Sequence, residues 1–475
     1  MLPARRFLLP LLALAALAPA TASALPTQVA DCTGPAGDPA PGTQAFQDRD
    51  RANMLCATER LEDMEGNPAF GAAFGAETPG KFADQNVAML LDPTHPHLTL
   101  SQFIPGGSTT DPFRTLNRWT SAGRGRVDAI SFVATNGAKL NGHVFRPPAS
   151  VAGPYPGVVI TTGSIQGYQE MYYWAAEGLA EAGYEVLTYD VQGQGNSDTF
   201  PAMENCSSPD DCSGVPFQQA YNFYQGTEDA LNFFFSAANP GRADLDAARV
   251  GLAGHSLGAS AVSDIGQCDP RVKAIVAWDN LAATSGKCTD MASGFPAGTP
   301  AEPTKTVPAL GLNAEYFFNP TPQNGAADPH AKDAGFRQLR DAGTDTMQVA
   351  LRSSTHLEWT YVPYILPASR LGERVSMHYT LAWFDRYLRG DSTAFGRLTS
   401  PVFDGSADRS AIGAGAFDAV AAAADPANPE AGNAPHRIAG LKVADRLSVY
   451  YASGYALTGP DGTDRVACAD LRKGC

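Results

Sequence analysis

The sequence predicts an α/β protein: a doubly wound, mostly parallel sheet of eight strands, with extensions at both ends. Three observations carry that expectation. Between Arg126 and Gly390 short β-rich runs alternate with helical stretches, the pattern of strand–helix–strand units. Two of the runs, 158–160 and 274–278, are apolar without alternation, as strands covered on both faces must be. The length, 475 residues, exceeds an ordinary single domain and suits one large α/β unit with additions.

Taken in order, the chain opens on Arg5 and Arg6, an apolar run from Phe7 to Leu17, and Ala22-Ser23-Ala24. These are the charged, apolar and small-residue regions of a secretory signal, expected over residues 1–24. The apolar run is too short for a bilayer, which takes about 20 residues, so no transmembrane anchor is expected. Residues 25–125 form a lead segment with one helix expected over 46–63. The α/β unit spans 126–391, with strands expected at 127–133, 139–145, 157–162, 185–189, 250–253, 274–278, 309–312 and 347–351. Helices are expected at 169–182, 218–237, 258–265, 331–342 and 375–388. Within 392–475 the stretch 399–435 shifts to Ala, Gly, Pro and Asp, a linker or loose tail, and strand character returns at 447–452.

Charge and cysteines set the compartment and exclude partners. Losing Arg5 and Arg6 with the leader leaves 32 Lys+Arg against 49 Asp+Glu, a net charge of −17. Such a surface repels nucleic acid and anionic membranes, so neither is expected as a partner. The eight cysteines, Cys32, Cys56, Cys206, Cys212, Cys268, Cys288, Cys468 and Cys475, include no C-x-x-C pair. In an exported chain they suit disulfides better than metal. Proximity pairs them in the order given, among the 105 pairings that eight cysteines permit.

The chemistry-bearing motif is Gly254-His255-Ser256-Leu257-Gly258. In a G-x-S-x-G run the small flanking residues let a strained strand-to-helix turn push a serine hydroxyl into the open. The context fits, because Arg249–Ala253 reads as a short apolar strand and Gly258–Val262 as the start of a helix. Ser256 is therefore the candidate nucleophile, and His255 is assigned to packing or turn chemistry.

With Thr162-Gly163-Ser164 after one strand, Asp190-Val191-Gln192-Gly193-Gln194-Gly195-Asn196-Ser197 after the next, Val307-Pro308, Ser354-Thr355-His356 and Trp383-Phe384-Asp385-Arg386-Tyr387-Leu388, the chain resembles the α/β-hydrolase superfamily. Its esterase, lipase and dienelactone-hydrolase-like members are nearest, and the likeness spans about 126–391. Thr162 stands where the family usually has His, and Gln192 where it has Arg. The resemblance implies a chain order of nucleophile, acid, base. His356, in the polar turn after the last strand, is then the base, ahead of His330, His378 and His436. Glu315, after the strand 309–312, is the first choice for the orienting acid. Asp279, at the end of the strand 274–278, is the alternative, and Asp328 a distant third.

The resemblance further implies an oxyanion hole from the backbone N–H groups of Leu257 and Ser164, and hydrolysis through an acyl-enzyme with no metal or organic cofactor. A carboxylic ester is the expected substrate, with small-molecule, lipid and polyester esters all open. Ile165, Tyr168 and Trp359 are candidates to line its pocket. A peptidase or acyltransferase would use the same groups, and a non-catalytic binding protein would keep only the scaffold.

Overall fold

The computed structural model describes residues 39–53 except 41, residues 115–164, 167–199, 220–316, 328–360, 370–409, 438–462 and 464–475, and six positions between 72 and 83. The expected leader, most of the lead segment and most of the stretch 399–435 lie outside the described residues. Ser256, Asp279, Glu315 and His356 all lie inside them.

Ten strands make one sheet. They are β1 (Arg126–Val133), β2 (Lys139–Arg146), β3 (Tyr155–Thr161), β4 (Glu185–Tyr189), β5 (Leu245–His255), β6 (Val272–Trp278), β7 (Ala309–Ala314), β8 (Thr346–Leu351), β9 (Gly454–Thr458) and β10 (Arg465–Cys468). Their spatial order is β1-β2-β4-β3-β5-β6-β7-β8-β9-β10. The strands from β3 to β8 run parallel. An antiparallel hairpin flanks them on each side. The first hairpin turns through Asn136-Gly137, with Gly137 at φ 93° and Ala134 N–H bonded to the Ala138 carbonyl at 2.7 Å. An Asn-Gly pair supplies the positive φ that a tight hairpin turn needs.

Among the described residues, the helices that pack on the sheet include α1 (Tyr173–Glu181), α2 (Ala220–Phe235), α3 (Leu257–Cys268), α4 (Ala334–Asp341) and α5 (Arg370–Phe384). Successive side chains of a strand point to opposite faces, and here each strand feeds two cores. In β3, Val158 and Ile160 belong to the core that also holds Trp174 and Leu179 of α1 and Trp383 and Phe384 of α5. Val159, between them, belongs to the core on the other face, which also holds Phe223 and Phe234 of α2, Ile265 of α3 and Leu339 of α4. This two-sided burial is why the parallel strands read as continuous apolar runs.

Among the described residues the sheet has ten strands rather than the eight expected. The additional pair is the β9–β10 hairpin, and strand structure begins at Gly454, not at 447. Ser448 explains the offset. Its Oγ accepts the N–H groups of Tyr450 and Tyr451 at 3.0 and 3.2 Å, so a β-rich stretch is bent into a turn by a local side-chain bond. Only a single bridge, Leu351 to Leu447, touches the sheet there. Gly454 then opens β9 where a Cβ would stand 2.3 Å from the Cys468 carbonyl oxygen.

Two disulfides are described: Cys268–Cys288, which ties the end of α3 to the turn Cys288–Met291, and Cys468–Cys475. The other four cysteines lie outside the described residues. Among the described residues no helix is long and apolar enough to cross a membrane. Of the lead segment, a helix is described over 44–53. Its Phe46 ring stands 4.7 Å from that of Tyr450, so this helix meets the segment that follows Ser448.

Candidate active site

The strand-to-helix turn at Ser256 follows from sterics that the motif carries within itself. β5 is hydrogen-bonded between β3 and β6 and runs into α3 with a single residue between them. Ser256, that residue, has φ 57° and ψ −120°, a strained setting for a side chain bearing a Cβ. The two glycines make it attainable. A Cβ on Gly254 would sit 2.4 Å from the Gly258 carbonyl oxygen, and one on Gly258 would sit 2.4 Å from the carbonyl oxygens of both Thr161 and Thr162. All of these obstacles are backbone, so no side-chain adjustment relieves them.

His356 reaches Ser256 from the turn after β8. Its Nε2 is 2.8 Å from Ser256 Oγ, and its Nδ1 is 2.7 Å from Asp279 Oδ2. With the proton on Nδ1 donated to the carboxylate, Nε2 is left to accept from the serine hydroxyl. Asp279 follows directly on β6. Its Oδ1 accepts from Ala314 N–H at 3.1 Å and stands 3.4 Å from Lys332 Nζ. Burial alone raises its pKa. Lys332, His356 and the Ala314 N–H together outweigh that and hold it below the ordinary carboxylate range.

Glu315, the first expectation for the orienting acid, is not in contact with the imidazole. Its Oε2 accepts from Ser353 N–H at 2.8 Å and from Asn53 Nδ2 at 3.1 Å, and its Oε1 from Ser448 Oγ at 2.7 Å. Burial pushes its pKa up to about 7, against the hydrogen bonds from Ser448 and Ser353. The physical reason is the register at the sheet edge. The end of β7 spends the Ala314 N–H on Asp279, and the following residue points its carboxylate toward the C-terminal segment. Asp328 accepts from His330 N–H at 2.9 Å within its own turn.

Leu257 N–H opens α3, where the first N–H groups of a helix have no partner within it. Ser164 lies just past β3, and Ile165 lies outside the described residues. The loop that bears Ser164 is braced. Gly163 N–H donates to Tyr172 Oη at 2.9 Å. Gln194 takes the Gly167 N–H at 3.2 Å and gives its amide to the Gly163 carbonyl at 3.0 Å.

His255 completes this bracing from inside the motif. Its Nε2 is 2.8 Å from the His356 carbonyl oxygen and must donate, so its Nδ1 accepts from Tyr172 Oη at 2.9 Å. Burial, aided by the charge of His356, depresses its pKa to about 3, and it stays neutral. A hydrogen-bonded chain thus runs from the Gly163 amide through Tyr172 and His255 to the backbone of His356. Tyr172→Phe leaves two buried polar groups unpaired. It is expected to cost about 1–3 kcal/mol, read as a lower urea midpoint with an unchanged slope.

Of the residues expected to line the pocket, Tyr168 and Trp359 are described. Both are fully buried in the core shared by α1 and α5. Trp359 Nε1 donates to Ser376 Oγ at 2.8 Å, and its carbonyl accepts from Trp174 Nε1 at 3.0 Å. Their large apolar faces serve packing. His378 is likewise spent, with Nε2 on the Arg397 carbonyl at 3.0 Å.

The sequence reading missed Lys332, Tyr172 as a brace, Gln194, Asn53 and Ser448. Gln194 sits within the Asp190–Ser197 turn and had a signal there. Asn53 and Ser448 had none, because they reach Glu315 from 262 and 133 residues away.

No protein-family model matches the chain. It is similar to a protein named thiohydrolase apmlB from Arthrinium phaeospermum, 29% identical over 153 residues, covering 32% of this chain and 43% of that protein. It is also similar to a protein named hydrolase LUC6 from Fusarium sp, 27% identical over 267 residues, covering 54% of this chain and 58% of that protein. The chain thus spans about half the length of these curated relatives. Both names state a hydrolase, and an enzyme of that broad kind is what the likeness supports.

Proposed function

We propose that the chain is a serine hydrolase of the α/β-hydrolase type that cleaves carboxylic esters through an acyl-enzyme on Ser256. The observation that carries this reading is the run Ser256 Oγ–His356 Nε2 at 2.8 Å and His356 Nδ1–Asp279 Oδ2 at 2.7 Å, on a serine held at φ 57°. The order along the chain, Ser256, Asp279, His356, agrees with that of the superfamily.

In the first step Ser256 Oγ attacks the carbonyl carbon as its proton passes to His356 Nε2. The oxyanion that forms is received by the N–H groups of Leu257 and Ser164. The tetrahedral intermediate collapses, and the leaving group departs with the proton from His356. Water then gives its proton to His356 and attacks the acyl carbon. Collapse returns the proton to Ser256 and frees the acid. Asp279 stays ionised throughout and stabilises the imidazolium. Its depressed pKa suits that role.

A thioester is a second acyl donor for the same groups, favoured by the relative named thiohydrolase. The leader pattern at 1–24 and the disulfides support export of the mature chain.

The test is intact-mass labelling of the folded protein with a fluorophosphonate, followed by peptide mapping, beside turnover of an oxo-ester and a thioester that share one acyl group. One adduct, mapped to Ser256, is expected. Folded protein that takes no adduct overturns the reading, and the ratio of the two turnover rates decides between the acyl donors.

A further inference from the structure

The buried carboxylate that the triad does not use stands where three separate parts of the chain converge on the turn that carries His356. That turn, Arg352 to Thr355, is held at Arg352, Ser353 and Ser354. Arg352 N–H meets the Arg446 carbonyl at 2.9 Å, and Tyr316 N–H meets the Ser354 carbonyl at 2.9 Å. Ser354 Oγ donates to the Leu351 carbonyl at 2.7 Å and accepts from Glu315 N–H at 3.2 Å. Ser353 has φ 53°, a left-handed setting that a non-glycine residue keeps only where its surroundings impose it. Its N–H is the group that Glu315 Oε2 accepts at 2.8 Å.

The remaining donors to Glu315 come from outside the α/β unit. Asn53 belongs to the helix over 44–53, and Ser448 precedes the β9–β10 hairpin. Around them the two segments interlock. Tyr316 donates to Asp50 Oδ1 at 2.7 Å, and Phe46 packs on Tyr450. Arg49, Asp50, Tyr316 and Tyr450 are the titratable groups whose charges act on this carboxylate or are acted on by it.

We propose that Glu315 is a positioning residue for the reaction: its carboxylate holds the Ser353 amide, and so the turn that presents His356 to Ser256, and it joins Asn53 and Ser448 to the catalytic apparatus. The proposal rests on the serine-hydrolase reading of Ser256. On it, the helix over 44–53 and the segment around Ser448 set the aim of the base, although neither supplies a group to the triad.

The experiment measures the rate of Ser256 labelling by a fluorophosphonate in the full chain, with the labelled fraction and the melting temperature alongside. Glu315→Ala is expected to slow labelling about 10–100-fold, the scale for misplacing a reacting group by about 1 Å, at an unchanged labelled fraction. Glu315→Gln, whose amide oxygen still accepts from Ser353 N–H, is expected to recover most of that loss. Asn53→Ala and Ser448→Ala each take one donor from the carboxylate. Each is expected to slow labelling a few-fold in the parent, on the order of the coupling found between residues in contact, and to change nothing further in the Glu315→Ala background.

Glu315→Ala that labels at the parent rate overturns the proposal, as do Asn53→Ala and Ser448→Ala effects that persist undiminished in that background. Should Glu315→Ala fail to fold, parent-rate labelling of both Asn53→Ala and Ser448→Ala overturns it equally. Parent protein that takes no label sinks the serine-hydrolase reading itself, and this proposal with it.

Discussion

Ser256→Ala and His356→Ala are each expected to lower kcat for ester cleavage about 10⁶-fold, with the double variant no worse than either single one. The reason lies in the 2.8 Å contact between Ser256 Oγ and His356 Nε2. A serine without its base is a poor nucleophile near neutral pH, and a base without the serine has nothing to activate. The two act as one unit, so their losses do not add. Steady-state turnover of a soluble ester checks this. Residual activity within about tenfold of the parent in Ser256→Ala would place the nucleophile elsewhere. Equal losses in the singles and a product of losses in the double would mean that the two residues act independently.

Asp279→Asn is expected to lower kcat about 10⁴-fold while leaving the fold intact. An amide at this position turns an N–H toward His356 Nδ1, which must then accept. The imidazole proton moves to Nε2, and the ring can no longer take the serine's proton. The carboxylate's favourable charge beside the imidazolium is lost as well. The contrast with Glu315 is the discriminating part. Both are buried acids at the ends of neighbouring parallel strands, yet Asp279 alone lies 2.7 Å from His356 Nδ1. Kinetics of Asp279→Asn beside Glu315→Ala on one ester decide the matter. A larger loss in Glu315→Ala would return the orienting role to Glu315.

The electrostatic setting of Asp279 sharpens that contrast. Burial by itself would favour the neutral acid, but Lys332, the His356 side chain and the Ala314 N–H overcome it. Glu315 has no such cation within hydrogen-bonding distance among its described partners, and burial dominates, pushing its pKa up to about 7. An acid that must stay charged beside an imidazolium is better served by the first environment.

The α/β class, the run of parallel strands, the strained strand-to-helix turn at Ser256 and the polar turn carrying His356 were legible in the sequence by itself. Each rests on short-range physics. Burial on both faces makes the middle of β3 and most of β6 continuous apolar runs, at 158–160 and 274–278. At the Ser256 turn, Gly254 and Gly258 are required by backbone atoms that the strand-to-helix geometry always brings close. Which carboxylate meets His356 was not legible, because Asp279 and Glu315 both follow strands at the same sheet edge. Only their partners separate them, and those partners are far along the chain: Ala314 and Lys332 for one, Asn53, Ser353 and Ser448 for the other. The burial of Tyr168 and Trp359 and the addition of β9 and β10 were decided the same way, by α5 packing over α1 and by Ser448 bending a β-rich stretch out of the sheet. Local sterics are written in neighbouring residues, whereas the direction in which a buried polar or aromatic side chain turns is set by groups that only the folded chain brings within reach.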